Sequence, residues 1–239
     1  MRKFLSNLYD EIKAELRPEL KDDSDHHFNQ IKSNAESGDV EAQYEYGHHY
    51  YFISKGVEHK QAFIWFYKAA EQNHIKAQNY LGRMYGLGQG VDKNLTEAFK
   101  WYYNAAMLGD ANSQETVGIY YQNGWGVDQD YFEAVKWYQK AADQDHFRAK
   151  NYLGHMYLNG RGVKQDPDKA LELYCETAEQ GYPLGMLNIG KMYENGNGVE
   201  QSDTEALKWY WRAASEHGDS DGHCWALALE EKIENSSKN

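Results

Sequence analysis

Small residues recur along the chain with a fixed period and divide it into repeating apolar and polar segments. One glycine returns every 36 residues, at Gly82, Gly118, Gly154 and Gly190, and Gly47 precedes this series by 35 residues. A pair of small residues keeps the same register, at Ala69/Ala70, Ala105/Ala106, Ala141/Ala142, Thr177/Ala178 and Ala213/Ala214. A constant period of this length predicts stacked supersecondary units rather than one globular core.

The first half of each period predicts an amphipathic helix. In the period from Ala77 to Gly109, the residues Ala77, Leu81 and Tyr85 are spaced i, i+4, i+8 and therefore share one face of a helix. The glycine next to Leu81 favours the close approach of another helix. A Gly-x-Gly-Val sequence follows Tyr85, and its glycines predict the end of the helix and a turn with positive φ.

The second half of each period begins at a capping residue and predicts a second helix. The position three residues after the valine is polar in four periods, as Asn94, Asp130, Asp166 and Ser202. Glutamates follow three residues later at Glu97, Glu133 and Glu205. This spacing predicts a capping box, which stabilises a helix start by about 1 kcal/mol. The second helix is expected to end near Gly109 and to turn inward Ala98, Trp101, Tyr102, Ala105 and Ala106.

Together these residues form the pattern A-x-x-x-L-G-x-x-Y-x-x-G-x-G-V followed by A-x-x-W-Y-x-x-A-A-x-x-G, which resembles the Sel-1-like repeat family, a relative of the tetratricopeptide repeats. The resemblance covers most of the chain. It implies an all-α fold, a right-handed α/α superhelical solenoid of helix-turn-helix repeats. It also implies a non-enzymatic adaptor or scaffold, without a cofactor, that binds a partner protein or an extended peptide.

The period also defines the expected organisation of the chain. Five repeats are predicted, at about 41–75, 76–111, 112–147, 148–183 and 184–221. Residues 1–25 are expected to form an amphipathic helix and a linker, 26–40 half a repeat that caps the array, and 222–239 a capping helix with a polar tail. The N-terminal helix is expected to act as a cap or docking arm, with a membrane-surface role as the alternative.

Two loops depart from the repeat pattern. Residues 50–62 lack both the Gly-x-Gly sequence and the capping residue, so this loop is expected to differ in shape. Tyr51 and Phe52 at its start either form part of a contact surface or pack beneath it. In the third repeat, Trp125 lies between the two loop glycines, where it is either a packing residue or a binding anchor.

Charge and cysteine content narrow the function classes. The net charge of −12 argues against a nucleic-acid partner, because phosphate contacts need clusters of Lys and Arg. It fits either a basic partner or an acidic surface that only maintains solubility. With two cysteines, Cys175 and Cys224, the chain departs from secreted relatives that carry a disulfide in each repeat, which favours a reducing compartment. No apolar run predicts a signal peptide or a membrane span, and we expect a cytoplasmic protein of undefined oligomeric state.

Catalytic and metal sites find little support in the sequence. A β-lactam-binding hydrolase, the enzyme alternative, would need a Ser-x-x-Lys motif, and the chain contains neither this motif nor a His-Glu-x-x-His motif. His217, His223 and Cys224 are close in sequence, but zinc sites normally use four ligands and a fourth is not evident. Acidic and histidine residues at 21–27 are interpreted as a polar linker. We therefore expect no enzyme activity and no bound metal.

Binding is expected in the concave groove, on the face of each first helix opposite its buried stripe, which lines the concave side in tetratricopeptide-like solenoids. Positions one before, two after and six after the repeat alanine fall together on that face. They are Glu41, Tyr44, His48, Lys76, Asn79, Arg83, Asn112, Glu115, Ile119, Arg148, Asn151, His155, Leu184, Leu187 and Lys191. Four are basic and two acidic, a net of +2 within a chain of net charge −12.

The charge of this face suggests an acidic or carboxylate-ended peptide as the partner. Arg83 and Arg148 would pair with carboxylates, while Asn79 and Asn151 would hold the peptide backbone, as in the carboxylate clamp of some tetratricopeptide adaptors. Ile119, Leu184 and Leu187 are expected to add exposed aliphatic contacts. The alternatives are a solvated face of mixed polar residues and an acidic inhibitor or immunity-type protein that binds a basic partner through its outer surface.

Overall fold

The computed structural model describes residues 24–53, 58–217 and 220–236. Within these ranges the chain forms twelve helices and no strand, which confirms the predicted all-α class of helix-turn-helix repeats. The helices are α1 Ser24–Ser37, α2 Val40–Ile53, α3 His59–Glu71, α4 Ile75–Leu87, α5 Leu95–Met107, α6 Ala111–Asn123, α7 Tyr131–Ala142, α8 Phe147–Asn159, α9 Pro167–Glu179, α10 Pro183–Asn195, α11 Asp203–His217 and α12 Ser220–Ser236. The amphipathic helix predicted at residues 2–17 lies outside the described residues.

These helices belong to two compact units. The first unit comprises the described residues up to Ser113 together with Gly124–Asp128, and the second comprises Gln114–Asn123 and the described residues from Gln129 onward. In the first unit, α1 packs on α2, with the rings of Phe28 and Tyr46 5.2 Å apart. In the second unit, α12 packs on α11. A helix outside the repeat pairs therefore covers one helix in each unit.

The buried face of each first helix is the one that the alanine and leucine spacing predicts. On α4, Ala77 and Leu81 are fully buried and Tyr85 is 5% exposed. Burial raises the pKa of the Tyr85 hydroxyl to about 12. A Cβ at Gly82 would lie 2.8 Å from the ring of Tyr102 on α5, so only glycine lets the two helices of this repeat pack at this distance. The predicted close approach at this glycine is confirmed.

The Gly-x-Gly turns are confirmed, and their second glycine has an additional function. Gly88 ends α4 in the left-handed conformation, with φ 72° and its N–H donated to the carbonyl of Met84. Gly90 also has positive φ, and a Cβ there would collide with the backbone of His59 at the start of α3. In the second unit, Gly162 lies in the same way against the backbone of Tyr131 at the start of α7. Each of these loops thus packs against the second helix of the preceding repeat.

The predicted N-caps are confirmed, but the reciprocal half of the capping box is not formed. The Asn94 side chain accepts the N–H of Glu97 at 3.1 Å, and Asp130, Asp166 and Ser202 cap their helices in the same way. The N–H of Asn94 donates instead to the carbonyl of Tyr85 in the last turn of the preceding helix. Glu97 is consequently available to pair with Lys100 at 2.6 Å.

Tyr51 and Phe52 lie in the last turn of α2, before the loop of the first repeat, and differ in exposure. The helix after this loop starts without a side-chain cap, since Glu58 makes no capping hydrogen bond. Tyr51 packs inward at 8% exposure and donates its hydroxyl to Oε1 of Gln89 at 2.7 Å, whereas Phe52 is 64% exposed. The loop Trp125 is 46% exposed. Tyr51 therefore packs beneath the surface, whereas Phe52 is part of the surface.

Three equivalent tyrosines in the second unit differ in the partner of their hydroxyl group. Tyr138 donates to Oε1 of Gln122 at 2.9 Å, and Tyr210 donates to Oε2 of Glu194 at 2.8 Å. Tyr174 is fully buried, and its hydroxyl has no hydrogen-bond partner among the described residues. The position equivalent to Gln122 and Glu194 is Leu158 in this repeat, which explains why the acceptor is missing.

Candidate binding surfaces on the first helices

The predicted binding positions differ in exposure according to their place in the repeat. Those before the repeat alanine are exposed, as Lys76, Arg148 and Leu184 show. The positions two residues after the repeat alanine are half-buried or buried, and Leu187 is only 3% exposed. The prediction of an exposed aliphatic at residue 187 is therefore wrong, because this position packs into the core of the second unit. Ile119 is half-buried against a neighbouring core cluster, so Leu184 is the exposed aliphatic of the three.

Asn79 in the first unit is engaged with the helix that follows. Its Nδ2 donates to Oδ2 of Asp110 at 3.2 Å, and its Oδ1 accepts from the hydroxyl of Ser113. Asp110 also accepts the N–H of Ser113 at 2.8 Å and so caps the start of α6. The amide of Asn79 thus links two first helices, and its contact with a peptide backbone stays a prediction.

Asn151 in the second unit plays a similar part between α8 and α10. Its Oδ1 accepts from Nδ2 of Asn188 at 2.9 Å, while its own Nδ2 donates to the carbonyl of Phe147 at 3.0 Å. The residue is 6% exposed. Its role in holding a peptide likewise stays a prediction, and its hydrogen bond with Asn188 joins neighbouring repeats.

Arg148 approaches a buried carboxylate of its own unit. Glu115 is 3% exposed, and its Oε1 lies 3.1 Å from Nη2 of Arg148 without hydrogen-bonding geometry. On the other side, Nε2 of His146 lies 3.6 Å from Oε2, while Nδ1 of the same ring accepts the N–H of Ala149 and caps α8. Burial raises the pKa of Glu115, and the charge of Arg148 opposes this shift. Arg148 is half-exposed and partly neutralised by this internal pair.

Aromatic rings dominate the face of the first unit. We call this surface the ring face and define it by Tyr44, His48, Phe52, Lys76, Tyr80 and Arg83. The Tyr80 ring lies at its centre, with centroid distances of 6.1 Å to Tyr44, 5.7 Å to His48 and 5.1 Å to Tyr51. Phe52 extends the surface, 4.5 Å from His48. These contacts join side chains from α2 and α4 into a continuous aromatic surface.

The two cations of the ring face lie near aromatic rings rather than carboxylates. Nζ of Lys76 is 5.8 Å from the Tyr44 ring centroid, and Cζ of Arg83 is 5.9 Å from that of Tyr51. Both side chains are exposed, and no described carboxylate lies within ion-pair distance of either. Burial and the nearby charge of Lys76 lower the pKa of His48, so its imidazole is neutral at pH 7. The positive charge of this surface therefore comes from Lys76 and Arg83.

The face of the second unit is more polar. Lys191 lies over the ring of Trp225 on α12, with Nζ 3.8 Å from the centroid, and desolvation lowers the pKa of this amine. Desolvation also lowers the pKa of His155, and the charges of Lys191 and Arg161 add to that shift. Arg148 and Lys191 are the cations that the sequence placed here, while Trp225 was missed because it lies outside the repeats.

Four lysines on the second helices provide a contrast, because glutamates of the same helix pair with them, although Lys140 on α7 lies over the ring of Trp137 instead, with Nζ 3.8 Å from the centroid. The pairs are Lys100 with Glu97 at 2.6 Å, Lys136 with Glu133 at 2.5 Å, Lys169 with Glu172 at 2.6 Å and Lys208 with Glu205 at 2.6 Å. All four join residues three positions apart on one helix. Cations of the first-helix faces such as Lys76, Arg83 and Lys191 have no such pair within the described ranges.

The described residues bear on the possible metal and membrane sites. In that part of the chain no three His, Cys, Asp or Glu side chains are grouped so that they could hold a metal ion. The side chain of His217, from the candidate zinc group, lies outside the described residues. Cys175 and Cys224 are both unpaired thiols. None of the described helices combines the length and apolarity needed to cross a bilayer.

Comparison with known proteins gives a consistent result. The family model of the Sel1 repeat matches residues 40–74, 75–110, 111–146, 148–182 and 183–217. A solved structure of a protective antigen from uropathogenic Escherichia coli, described as displaying an SLR fold, is 36% identical with a TM-score of 0.76, over 84% of this chain and 43% of that one. The chain thus spans less than half the length of the E. coli protein. The search among curated proteins found no match.

Two further solved structures are similar to the chain. A Sel1 repeat protein from Oxalobacter formigenes is 33% identical with a TM-score of 0.68, over 80% of this chain and 74% of that one. A sel1 repeat protein from Klebsiella pneumoniae subsp. pneumoniae is 22% identical with a TM-score of 0.52, over 85% and 99% of the two chains. At that identity the Klebsiella structure supports the fold alone.

Proposed function

The chain belongs to the Sel1 repeat family, and from this premise we propose that it is a non-enzymatic scaffold whose first-helix faces bind an extended acidic segment of a partner protein. Repeat arrays present such faces on helices whose opposite side is buried, so their side chains are free to change without loss of the core. An extended segment fits because its side chains can contact several repeats in turn.

One observation carries the proposal. In a chain of net charge −12, the exposed Lys76, Arg83 and Lys191 lie near aromatic rings and have no carboxylate partner among the described residues. On the second helices, Lys100, Lys136, Lys169 and Lys208 have such partners. Exposed cations without a close carboxylate in an acidic protein attract an anionic ligand and steer its approach, and this applies most fully to Lys76 and Arg83, since Glu194 and Asp221 attract the charge of Lys191.

Arg148, the other cation of the first-helix faces, has a different role. Arg148 is already close to Glu115, so an incoming carboxylate would compete with an internal one. We therefore assign the main electrostatic contacts to Lys76 and Arg83 in the first unit and to Lys191 in the second. The unpaired thiols of Cys175 and Cys224 support a reducing compartment, which we propose to be the cytoplasm.

The test uses three pools of fluorescent ten-residue peptides, rich in Asp and Glu, in Lys and Arg, or in Ser and Gly, and measures binding to the full chain by anisotropy. We expect the acidic pool to bind best. The double variant K76E/R83E should lose most of this binding, because two attractive charges become repulsive. The matched control K100E/K136E makes the same charge change on second helices and should bind like the wild type.

The alternative of an acidic outer surface gives the opposite pattern. If the basic pool binds best, and its binding weakens with salt while K76E/R83E has no effect, the outer surface is the binding site. Equal binding of all three pools would also contradict the proposal, since the faces would then lack charge selectivity.

A further inference from the structure

We infer that the ring face of the first unit recognises two carboxylates about three residues apart with an apolar side chain between them. This inference rests on the proposed function and deepens it by naming the sequence pattern of the partner segment. It comes from three features of the ring face: the distance between its cations, the exposed ring beside them, and the neutral state of the remaining polar groups.

The spacing of the cations sets the spacing of the carboxylates. Lys76 and Arg83 are seven residues apart on α4, which corresponds to about 10 Å along a helix that rises 1.5 Å per residue. An extended peptide advances roughly 3.3 Å per residue, so about three residues cover the same distance. Acidic residues at positions i and i+3 of the partner would thus reach both cations.

The rings between the cations define what lies between the carboxylates. Tyr80, at the centre of the face, is half-buried and supported from below by Phe66, whose ring stacks on it at 4.6 Å and 10°. Phe52 is 64% exposed and projects beside His48, 4.5 Å away. An apolar side chain placed here would cover exposed aromatic surface, and aromatic pairs add to the gain from area alone.

The remaining groups of the face add no competing charge at its centre. His48 is neutral at pH 7, and the hydroxyls of Tyr44 and Tyr80 have raised pKa values, mainly from burial. Glu41 and Glu45 on α2 both act on the Tyr44 hydroxyl, and Oε2 of Glu41 lies 3.1 Å from Nε2 of His74. The centre of the ring face is therefore uncharged and its positive charges lie along α4, at Lys76 and Arg83, which suits an apolar residue flanked by acidic ones.

The experiment compares three labelled decapeptides in a Gly/Ser background. One carries Glu-Phe-Ala-Glu, the second carries Glu-Ala-Ala-Glu, and the third carries Glu-Glu-Phe-Ala, which has the same composition as the first but adjacent glutamates. With the full wild-type chain, we expect the first peptide to bind about tenfold more tightly than the second, because burial of one aromatic side chain is worth roughly this factor. It should also bind more tightly than the third.

Two matched variants locate the effect. Phe52 and Phe132 are each 64% exposed, and they belong to the first and second units respectively. F52A should reduce the preference for the phenylalanine peptide to less than about threefold, whereas F132A should keep it. Because both side chains are at the surface, neither substitution removes core packing, and circular dichroism of each variant provides the check.

The outcomes separate this inference from the proposed function. If the first two peptides bind the wild type equally well, the scaffold binds acidic segments but the ring face selects no apolar residue, and the inference is wrong. Preservation of the preference in F52A would contradict it as well. If none of the peptides binds, the proposed function itself fails.

Discussion

Replacing a buried tyrosine by phenylalanine should have opposite effects at equivalent positions of the second unit. The Tyr210 hydroxyl donates to a glutamate, and the Tyr138 hydroxyl donates to a neutral amide, while the buried Tyr174 hydroxyl has no partner in the described structure. A buried polar group without a partner costs about 1–3 kcal/mol, whereas a formed neutral hydrogen bond contributes about 1 kcal/mol and one to a charged group about 1.5–3 kcal/mol.

From these values we expect Y174F to stabilise the second unit by about 1 kcal/mol, and we expect Y138F and Y210F to destabilise it by about 1 and 2 kcal/mol. The aromatic ring remains in all three variants, so its packing against the facing glycine is kept. Urea unfolding followed by circular dichroism measures the midpoints, and a common m-value converts them to free energies. All three residues lie in the second unit, so their effects fall on the same transition.

A second substitution checks the cause. Leu158 takes the place of the acceptors Gln122 and Glu194 and is half-buried, so L158Q should give Tyr174 a hydrogen-bond acceptor. The double-mutant cycle of L158Q and Y174F should show a favourable coupling of about 1 kcal/mol. If Y174F destabilises the unit as much as Y138F does, the Tyr174 hydroxyl has a favourable interaction and the reasoning is refuted.

Two further predictions concern the same unit. A Cβ at Gly118 would lie 2.5 Å from the buried ring of Tyr138, so G118A should lower the free energy of unfolding by about 1–2 kcal/mol in spite of the better helix propensity of alanine. This loss should be smaller when Tyr138 is replaced by leucine. A loss of the same size in Y138L would show that another cause is responsible. Because the pKa of Glu115 is raised in the folded state, its ionisation lowers stability as the pH rises above the ordinary carboxyl value. The melting temperature of E115Q minus that of the wild type should therefore be more positive at pH 7 than at pH 4. A more negative difference at pH 7 would mean that the attraction of Arg148 outweighs burial.

The parts of the fold that depend on one repeat could be predicted from the sequence. Asp130 is a helix cap because its side chain and the N–H groups that it accepts lie within three residues of one another. Gly118 faces a tyrosine, and the same pair recurs in four of the five periods, with Phe66 facing Gly47 in the first. Such features follow from local spacing, and repetition makes them visible in a single sequence.

The parts that depend on how adjacent helices pack could not be predicted in this way. Leu187 and Glu115 were expected at an open surface, but counting residues along one helix does not show that a neighbouring element covers them. The reciprocal capping bond of Glu97 was expected from spacing, yet the carbonyl of Tyr85 takes the N–H of Asn94 first. Tyr80 was overlooked because its position falls between the buried and exposed stripes, and its long ring reaches the surface from there.

The contact of Gly162 with the preceding repeat, which differs from that of Gly198 with the side chain of Pro167, has a consequence for the evolution of chain length. Gly162 fits against the main chain of Tyr131 and Phe132, and main-chain atoms are the same whichever side chains stand at those positions. Within the second unit, recombination that removes or duplicates 36 residues between equivalent points would thus recreate a matching joint at once. An insertion of another length would move the glycine away from that main chain. Selection can therefore change the number of repeats in whole steps, while the sequence of each repeat diverges separately.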